Sequence, residues 1–272
     1  MKNLKKFYNF RTEIKNRYEY HTEKTIKNIP LPGLLFYIKL FSIICHTALL
    51  VKLKKFDDLT WAISSDKIRR AVESVGGKFN ITGLEYIYTP YKPVIFMANH
   101  MSNLENMILP ELVLGFRNVT FVVKNELLHY PIFGTIMKAT SPVPLQRKNP
   151  KEDLQKMMND CSQKLKNKTS VIVFPQHTRR PNILPEQFNS IAVKIAAAND
   201  VPIVPVAVKT DFWGLGKKIK DFGPINPNKT IYIEFGRPIK LPTNSTVGDQ
   251  KLAHKQAVEF IISCHKKWAA EK

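Results

Sequence analysis

The sequence is poor in cysteine, and this shortage excludes two common ways of stabilising a fold. Its three cysteines, Cys45, Cys161 and Cys264, are far apart and odd in number. They match no metal-binding spacing and no disulfide framework, which fits a reducing compartment. A secretory signal peptide is also missing, since the first thirty residues are charged and polar.

Acidic residues are scarce as well, and their scarcity points to an anionic partner. Asp and Glu number 22 against 42 Lys and Arg, which gives a net charge of +20. Such a balance suits nucleic acid, an anionic membrane or an acidic carrier protein. The sequence has no zinc spacing, no recognition-module signature and no interleaved basic-aromatic platform. Nucleic acid binding therefore rests on charge alone, and we do not favour it as the function.

A long apolar run near the N-terminus, residues 34–53, predicts a helix that contacts a membrane. Twenty helical residues span about 30 Å, enough to cross a bilayer. However, Lys39, His46 and Lys52 interrupt the run, and a charge near the bilayer centre is costly. We favour a helix lying in one leaflet, with a transmembrane span or a buried core helix as alternatives. Residues 57–74 predict a second helix that pairs with it.

Other segments predict an α/β fold in two parts. The first 28 residues combine basic and aromatic side chains, which indicates either an arm on anionic lipid or a solvated arm. We assign residues 1–75 to this arm and a membrane-associating helical pair. Residues 76–272 are predicted to form an α/β domain, with a mixed, mostly parallel sheet flanked by helices. Its predicted strands include 78–82, 85–89, 94–98, 118–123, 201–208 and 231–235, and its predicted helices include 150–166, 187–199 and 249–266.

Residues 94–105, VIFMANHMSNLE, read as a buried strand, a polar loop and the start of a helix. Ser102 or Asn103 is the expected N-cap. His100 follows the strand, where catalytic groups of open α/β sheets lie, and Glu105 can fold back to its imidazole. Such a histidine can accept a proton from a hydroxyl. Taken locally, a turn-capping histidine and a solvated glutamate remain the alternative.

The motifs along the chain resemble those of the glycerolipid acyltransferase family. Asn99-His100, four residues and an acid form the family's first block, with Glu105 where Asp is usual. Residues 124–127 (KNEL) and 131–134 (PIFG) match the next block, and Arg147 matches a family arginine. In the third block Phe174, Pro175, Thr178 and Arg179 match, whereas Gln176 and His177 replace glutamate and glycine. The blocks follow in the family's order from about residue 83 to residue 239.

This resemblance implies an enzyme that moves a fatty acyl group from a thioester to the hydroxyl of a lysophospholipid. The most typical acceptor is lysophosphatidic acid, which becomes phosphatidic acid. His100 and Glu105 would be the catalytic pair, and the absence of a neighbouring Ser or Cys nucleophile favours direct attack by the hydroxyl. Lys124, Arg147 and Arg179 would bind the phosphate. The remaining substrate-binding residues would be Gln176 and Thr178.

The resemblance also implies partners and a location. The donor would be acyl-CoA or acyl carrier protein as a cosubstrate, with no metal and no cofactor. The expected location is the cytoplasmic face of the cell membrane, in peripheral or monotopic form. Gln176 and His177 weaken lysophosphatidic acid as acceptor and leave glycerol 3-phosphate, another lysophospholipid or a glycolipid precursor open. A membrane-surface protein that binds lipid without catalysis is the alternative from another class.

Overall fold

A computed structural model describes residues 2–23, 26, 28–88, 92–146, 149–176 and 178–271. Its helices are α1 Lys2–Arg17, α2 Pro32–Lys52, α3 Asp58–Glu73, α4 Leu104–Val113, α5 Phe133–Ala139, α6 Pro150–Lys166, α7 Ile191–Ala198 and α8 Val247–Ala270. Its strands are β1 Tyr20–His21, β2 Lys78–Thr82, β3 Ile95–Ala98, β4 Val119–Lys124, β5 Val143–Leu145, β6 Ser170–Val173, β7 Ile203–Lys209 and β8 Thr230–Phe235. Short 3-10 helices lie at Leu84–Tyr88, Asn125–His129 and Pro185–Gln187.

The eight strands form one sheet in the order β1-β2-β8-β7-β3-β6-β4-β5. The pairs β1–β2 and β7–β8 are antiparallel, and the other neighbours are parallel. The predicted α/β class with a mixed, mostly parallel sheet is therefore confirmed. β3 lies between β6 and β7, and all four of its residues are buried, as expected for a parallel strand covered on both faces.

Residues 85–89 are not a strand, contrary to the sequence prediction. Residues 84–88 form a 3-10 helix instead, and residue 89 lies outside the described residues. Leu84 and Ile87 are both buried, and a spacing of three places them on one face of a 3-10 turn. Gly83 begins this turn at φ 75° with its Cα close to the carbonyl of Phe235, where a side chain would clash.

The N-terminal segment is ordered as α1 and β1, so its description as a solvated arm is wrong. Phe7, Phe10 and Ile14 are buried, because their spacing of three and four residues forms one apolar helix face. β1 then pairs with β2 as the edge strand. The boundary proposed at residue 75 stays a prediction, although the segment before it contributes both a strand and core residues.

α2 is the one helix among the described residues that is long and apolar enough to cross a membrane, judged by length and composition. Only 22% of its most apolar 18-residue window is buried. Leu34, Ile38, Phe41 and Leu49 are exposed on one side, at the three- and four-residue spacing of a helix face. A wholly buried core helix is therefore wrong, and the interfacial arrangement stays a prediction. α3 packs beside α2 as the predicted second helix.

A buried ionic cluster centred on Arg69 joins the N-terminal helices to the rest of the domain. Arg69 on α3 contacts Asp66 at 2.6 Å, Glu73 at 2.9 Å and Glu111 on α4 at 2.6 Å. Its guanidinium also donates to the hydroxyl of Tyr20 on β1. Three carboxylates surround this arginine, so the cluster favours a proton on one of them. Glu111 is the best candidate, because its Oε2 atom is buried without a hydrogen-bond partner.

We expect Glu111 to lower the free energy of unfolding as the pH rises from about 5 to 8, against the opposite contribution of His265, whose pKa burial lowers to about 4. Burial raises the pKa of Glu111 from its ordinary 4.5 to about 8, and the Arg69 charge offsets only part of this. The native state therefore holds a proton that the unfolded chain releases, so stability is lost as the pH rises. Denaturant titration at pH 5.5 and 8 gives the net change in the free energy of unfolding, and Glu111→Gln should make that change more positive than in the wild type. An exposed control, Glu186→Gln, should leave it at the wild-type value; the wild-type change in Glu111→Gln would refute the assignment.

Candidate active site

His100 and Glu105 form a hydrogen-bonded pair in the loop between β3 and α4. The imidazole Nδ1 atom lies 2.9 Å from Glu105 Oε1. The ring stacks on Phe174, which follows β6, with ring centroids 4.4 Å apart. Both residues follow parallel strands that are neighbours in the sheet. The pair therefore lies at the carboxyl edge of the sheet, where α/β folds place binding and catalytic groups.

The Glu105 carboxylate is fully buried, and hydrogen bonds from protein groups replace its contacts with water. It accepts from the backbone N–H groups of Met101 at 2.7 Å and Ser102 at 2.9 Å. The hydroxyls of Ser102 and Thr210 also donate to it, at 3.0 and 2.6 Å. Burial raises the pKa of Glu105, but the hydrogen bond and charge of His100 and the bond from Thr210 outweigh it, so the pKa is lowered overall.

The ionised carboxylate fixes the histidine tautomer. A carboxylate only accepts hydrogen bonds, so His100 must carry a proton on Nδ1, the atom that faces Glu105. The lone pair of the neutral ring is then on Nε2. An imidazole held in this way can take a proton at Nε2, and the carboxylate stabilises the imidazolium that results.

Neighbouring strands hold the backbone of this loop in place. The Asn99 side chain exchanges two hydrogen bonds of 2.8 Å with the Val208 backbone of β7. The His100 N–H donates to Gln176 Oε1 at 2.6 Å, and the His100 carbonyl accepts from the Arg180 N–H at 3.0 Å. Ser102 Oγ accepts from the N–H of Leu104, the first residue of α4, at 3.0 Å, whereas Asn103 is the N-cap residue and makes no side-chain capping bond.

Gln176 supports the site from behind. Its side chain is buried, its oxygen accepts from His100, and its amide nitrogen donates to Gln187 at 3.1 Å. Both polar ends of the side chain thus have protein partners, and its binding to a substrate hydroxyl stays a prediction. Thr178 lies half-buried in the same loop. His177 lies outside the described residues.

Arg179 contacts the His100–Glu105 loop at Asn103. Its Nη1 donates to Asn103 Oδ1 at 2.6 Å, and its Nη2 donates to Asp221 Oδ1 at 2.7 Å. The side chain is mostly buried. Arg179 therefore lies directly against the His100–Glu105 loop and forms an ion pair with Asp221.

The other two predicted phosphate ligands are Lys124 and Arg147, and the structure describes only Lys124. Lys124 is exposed at the carboxyl end of β4, on the same edge of the sheet as His100. Arg147 lies outside the described residues, shortly after β5. Among the described residues, no group of three or more His, Cys, Asp or Glu side chains is arranged to hold a metal ion.

Sequence reasoning missed Thr210, Asn103 and Asp221 as parts of this site. Thr210 could have been found, because a polar residue directly after a buried parallel strand lies at the same edge as His100. Asp221 is the one acid in the basic segment KKIKDF, and this contrast of charge marks it as a candidate for an ion pair. Nothing in the spacing, however, connects it with Arg179.

Comparisons with known proteins cover the segment that contains His100 and Glu105. Residues 78–209 match the family model described as Acyltransferase. A 1-acyl-sn-glycerol-3-phosphate acyltransferase of Pseudomonas aeruginosa is 30% identical over 132 residues, 48% of this chain and 49% of the relative. The chloroplastic enzyme of the same name from Arabidopsis thaliana is 31% identical over 140 residues, 52% of this chain and 37% of the relative. The chain thus spans half or less of the length of these relatives.

A solved structure has the same fold. The crystal structure of the 1-acyl-sn-glycerophosphate (LPA) acyltransferase from Thermotoga maritima aligns with a TM-score of 0.64 and 22% identity, over 86% of this chain and 95% of that one. Fold and matched domain define an α/β domain of the acyltransferase class. Within that class, residues 78–209 are an acyltransferase domain similar to that of the 1-acyl-sn-glycerol-3-phosphate acyltransferases, in agreement with the resemblance of its motifs.

Proposed function

We propose that this protein transfers a fatty acyl group from an acyl thioester to the free hydroxyl of lysophosphatidic acid, which forms phosphatidic acid. The observation that carries the proposal is the His100–Glu105 pair, held at 2.9 Å on a buried, ionised carboxylate. It lies inside the segment that matches the acyltransferase family. Named relatives that catalyse this reaction support the choice of acceptor.

The chemistry begins with the Nε2 lone pair of His100. This atom takes the proton of the acceptor hydroxyl while the oxygen attacks the thioester carbonyl carbon. A C–O bond forms, and the C–S bond breaks as the tetrahedral intermediate collapses. The imidazolium returns its proton to the departing thiolate, so the enzyme ends unchanged. Glu105 holds the ring in place and stabilises its positive charge between the two proton transfers.

Arg179 is the best-placed group for the acceptor's phosphate. Its guanidinium can make two hydrogen bonds to phosphate oxygens, and Asn103 connects it to the catalytic loop. Lys124 would add positive charge from the same edge of the sheet. Arg147, which lies outside the described residues, is proposed as a further cation for the phosphate. Phosphate binding there would bring the acceptor hydroxyl toward His100, which turns a bimolecular encounter into a positioned one.

The membrane supplies the acceptor, and α2 is the element proposed to reach it. Its exposed apolar side would enter the headgroup region of one leaflet on the cytoplasmic face. The net charge of +20 favours anionic lipid and also an acidic acyl carrier protein. We propose acyl-CoA or acyl carrier protein as donor, with no cofactor beyond that cosubstrate.

A different anionic acceptor is the second candidate within the enzyme class. The third motif departs from the family at Gln176 and His177, directly before Thr178 and Arg179, which are proposed to bind the acceptor. Gln176 keeps the His100 backbone in position, so the departure leaves the catalytic pair intact. This favours a changed acceptor over a lipid-binding protein without catalysis.

The decisive experiment is an acyl-transfer assay in detergent with labelled acyl-CoA or acyl carrier protein. The acceptors to compare are lysophosphatidic acid, glycerol 3-phosphate and an uncharged monoacylglycerol. We expect product with lysophosphatidic acid and none with the uncharged acceptor, because the cationic groups need a phosphate. Product from glycerol 3-phosphate alone would support the second candidate, an enzyme with a different anionic acceptor. No product from any pair, with firm vesicle binding, would establish the non-catalytic lipid binder.

A further inference from the structure

The loop between β7 and β8 has an unusual combination of side chains at its tip. Lys217, Lys218 and Lys220 supply three positive charges in four residues. Ile219 is 60% exposed and Phe222 is 64% exposed. Large apolar side chains beside lysines are typical of segments that enter the headgroup region of an anionic membrane.

Backbone hydrogen bonds close the loop at its base. The Gly214 N–H donates to the Pro224 carbonyl at 2.9 Å, and the Gly216 N–H donates to the Lys220 carbonyl at 3.3 Å. Gly223 packs directly against the Gly214 backbone, where a side chain would not fit. Residues 214–223, which we call the gate loop, thus form a compact projection and not a flexible linker.

One side of the gate loop adjoins α2. The Tyr37 hydroxyl donates to the Gly223 carbonyl at 2.5 Å, and the Tyr37 ring lies 5.8 Å from the Phe222 ring. On α2, Leu34 and Ile38 are exposed three residues before and one residue after Tyr37. The apolar tip of the gate loop therefore continues the exposed apolar side of the helix that is proposed to meet the bilayer.

The other side of the gate loop reaches the candidate active site. Asp221 Oδ1 accepts from Arg179 at 2.7 Å and from Asn103 Nδ2 at 3.2 Å. The Asp221 carbonyl also accepts from Asn103, at 3.3 Å. Asp221 thus takes Nη2 of the guanidinium that the acceptor's phosphate is proposed to bind, while Asn103 takes Nη1. A phosphate that binds Nη1 and Nη2 together as a fork must replace both partners.

We propose that the gate loop is a second membrane-contact element that controls access to Arg179. When Ile219 and Phe222 enter an anionic bilayer, Asp221 is drawn away and Arg179 becomes available to the acceptor's phosphate. The lysines favour an anionic bilayer over a protein partner, because their charges complement lipid phosphates and the apolar tip continues the α2 surface. The inference rests on the proposed function, since it assigns the phosphate of that acceptor to Arg179.

Membrane contact can be measured without turnover. Phe222→Trp should show stronger fluorescence quenching than the wild type when phosphatidylglycerol vesicles carry brominated acyl chains. Val247→Trp is the matched control, because Val247 is an equally exposed apolar residue on α8, outside the gate loop. Phosphatidylcholine vesicles should give a smaller effect. Equal quenching at both positions, or quenching at neither, would overturn the membrane contact.

Calorimetric titration with a soluble short-chain lysophosphatidic acid, below its critical micelle concentration, tests whether Asp221 limits access to Arg179. Without vesicles, Asp221→Asn should tighten binding about 5- to 10-fold over the wild type, because the competing charge on Arg179 is gone. Arg179→Ala combined with Asp221→Asn should lose that gain. Unchanged affinity in Asp221→Asn would overturn the gate.

Turnover then separates this inference from the proposed function. On anionic vesicles, Asp221→Asn should change KM less than it changes the affinity without vesicles, since the membrane has already withdrawn Asp221. A change in KM as large as the change in affinity would overturn the coupling to the membrane. If no acceptor is acylated at all, the proposed function fails, while the quenching and binding results still decide the gate loop by themselves.

Discussion

His100→Ala should lower the turnover number for acyl transfer by roughly 10²–10⁴-fold, the range expected for loss of a positioned general base. The side chain is the group on which the proposed proton transfer depends. Its removal leaves α2 and the gate loop untouched, so vesicle binding should stay at the wild-type level. Radiolabelled acyl transfer at saturating donor and acceptor, beside vesicle sedimentation, measures both quantities.

The control must separate loss of the base from loss of the fold. His21→Ala removes a half-exposed histidine on β1, and it should keep full turnover. The thermal unfolding midpoint of His100→Ala should lie within a few degrees of the wild type, because its ring stacks on Phe174 at only partial burial. Turnover of His100→Ala at a tenth of wild type or above would remove His100 from the role of base.

The catalytic pair was predictable because its geometry is local. His100 and Glu105 are five residues apart, and the strand followed by a tight turn brings them within hydrogen-bond distance. The central strands were predictable for a related reason: their residues are buried on both faces, so the apolar run is continuous. In each case a short stretch of sequence contains the physical cause of the structure.

The contacts that shape the site come from distant parts of the chain, and short patterns do not contain them. Thr210 reaches Glu105 across 105 positions, and Asp221 reaches Arg179 across 42. Such pairs depend on the order of the strands, which one sequence does not specify. α1 was missed for another reason, since its lysines and arginines obscured the apolar face on which Phe10 and Ile14 lie.

The departure at Gln176 becomes understandable in the structure. The family's glutamate could accept from the His100 N–H, and a glutamine oxygen does the same at 2.6 Å. The glutamine also supplies an N–H donor, which Gln187 accepts at 3.1 Å. The replacement therefore keeps the hydrogen bond that positions the catalytic loop and changes only the charge behind it.

Glu105→Gln should separate the charge of the catalytic carboxylate from its geometry. The backbone N–H groups of Met101 and Ser102 point at Oε1, so the new amide must place its oxygen there and not its NH₂ group. That oxygen still accepts from His100 Nδ1, and the tautomer is kept. The NH₂ group then faces the hydroxyls of Ser102 and Thr210, which can accept.

What this variant loses is the charge that stabilises the imidazolium. A hydrogen bond to a charged group contributes about 1–2 kcal/mol more than a neutral one, so turnover should fall roughly 5- to 30-fold. Glu105→Asp keeps the charge and should keep most of the turnover. Glu105→Ala leaves buried donors without an acceptor and should lower both turnover and the unfolding midpoint.

The comparison of the three variants decides the role of Glu105. Turnover measured at saturating substrate, together with thermal unfolding, should rank aspartate above glutamine and glutamine above alanine. If glutamine is as inactive as alanine while folding normally, the carboxylate's charge contributes more than a single charged hydrogen bond. If glutamine is fully active, the imidazolium needs no charged partner, and Glu105 acts only by holding the loop and the ring of His100 in position.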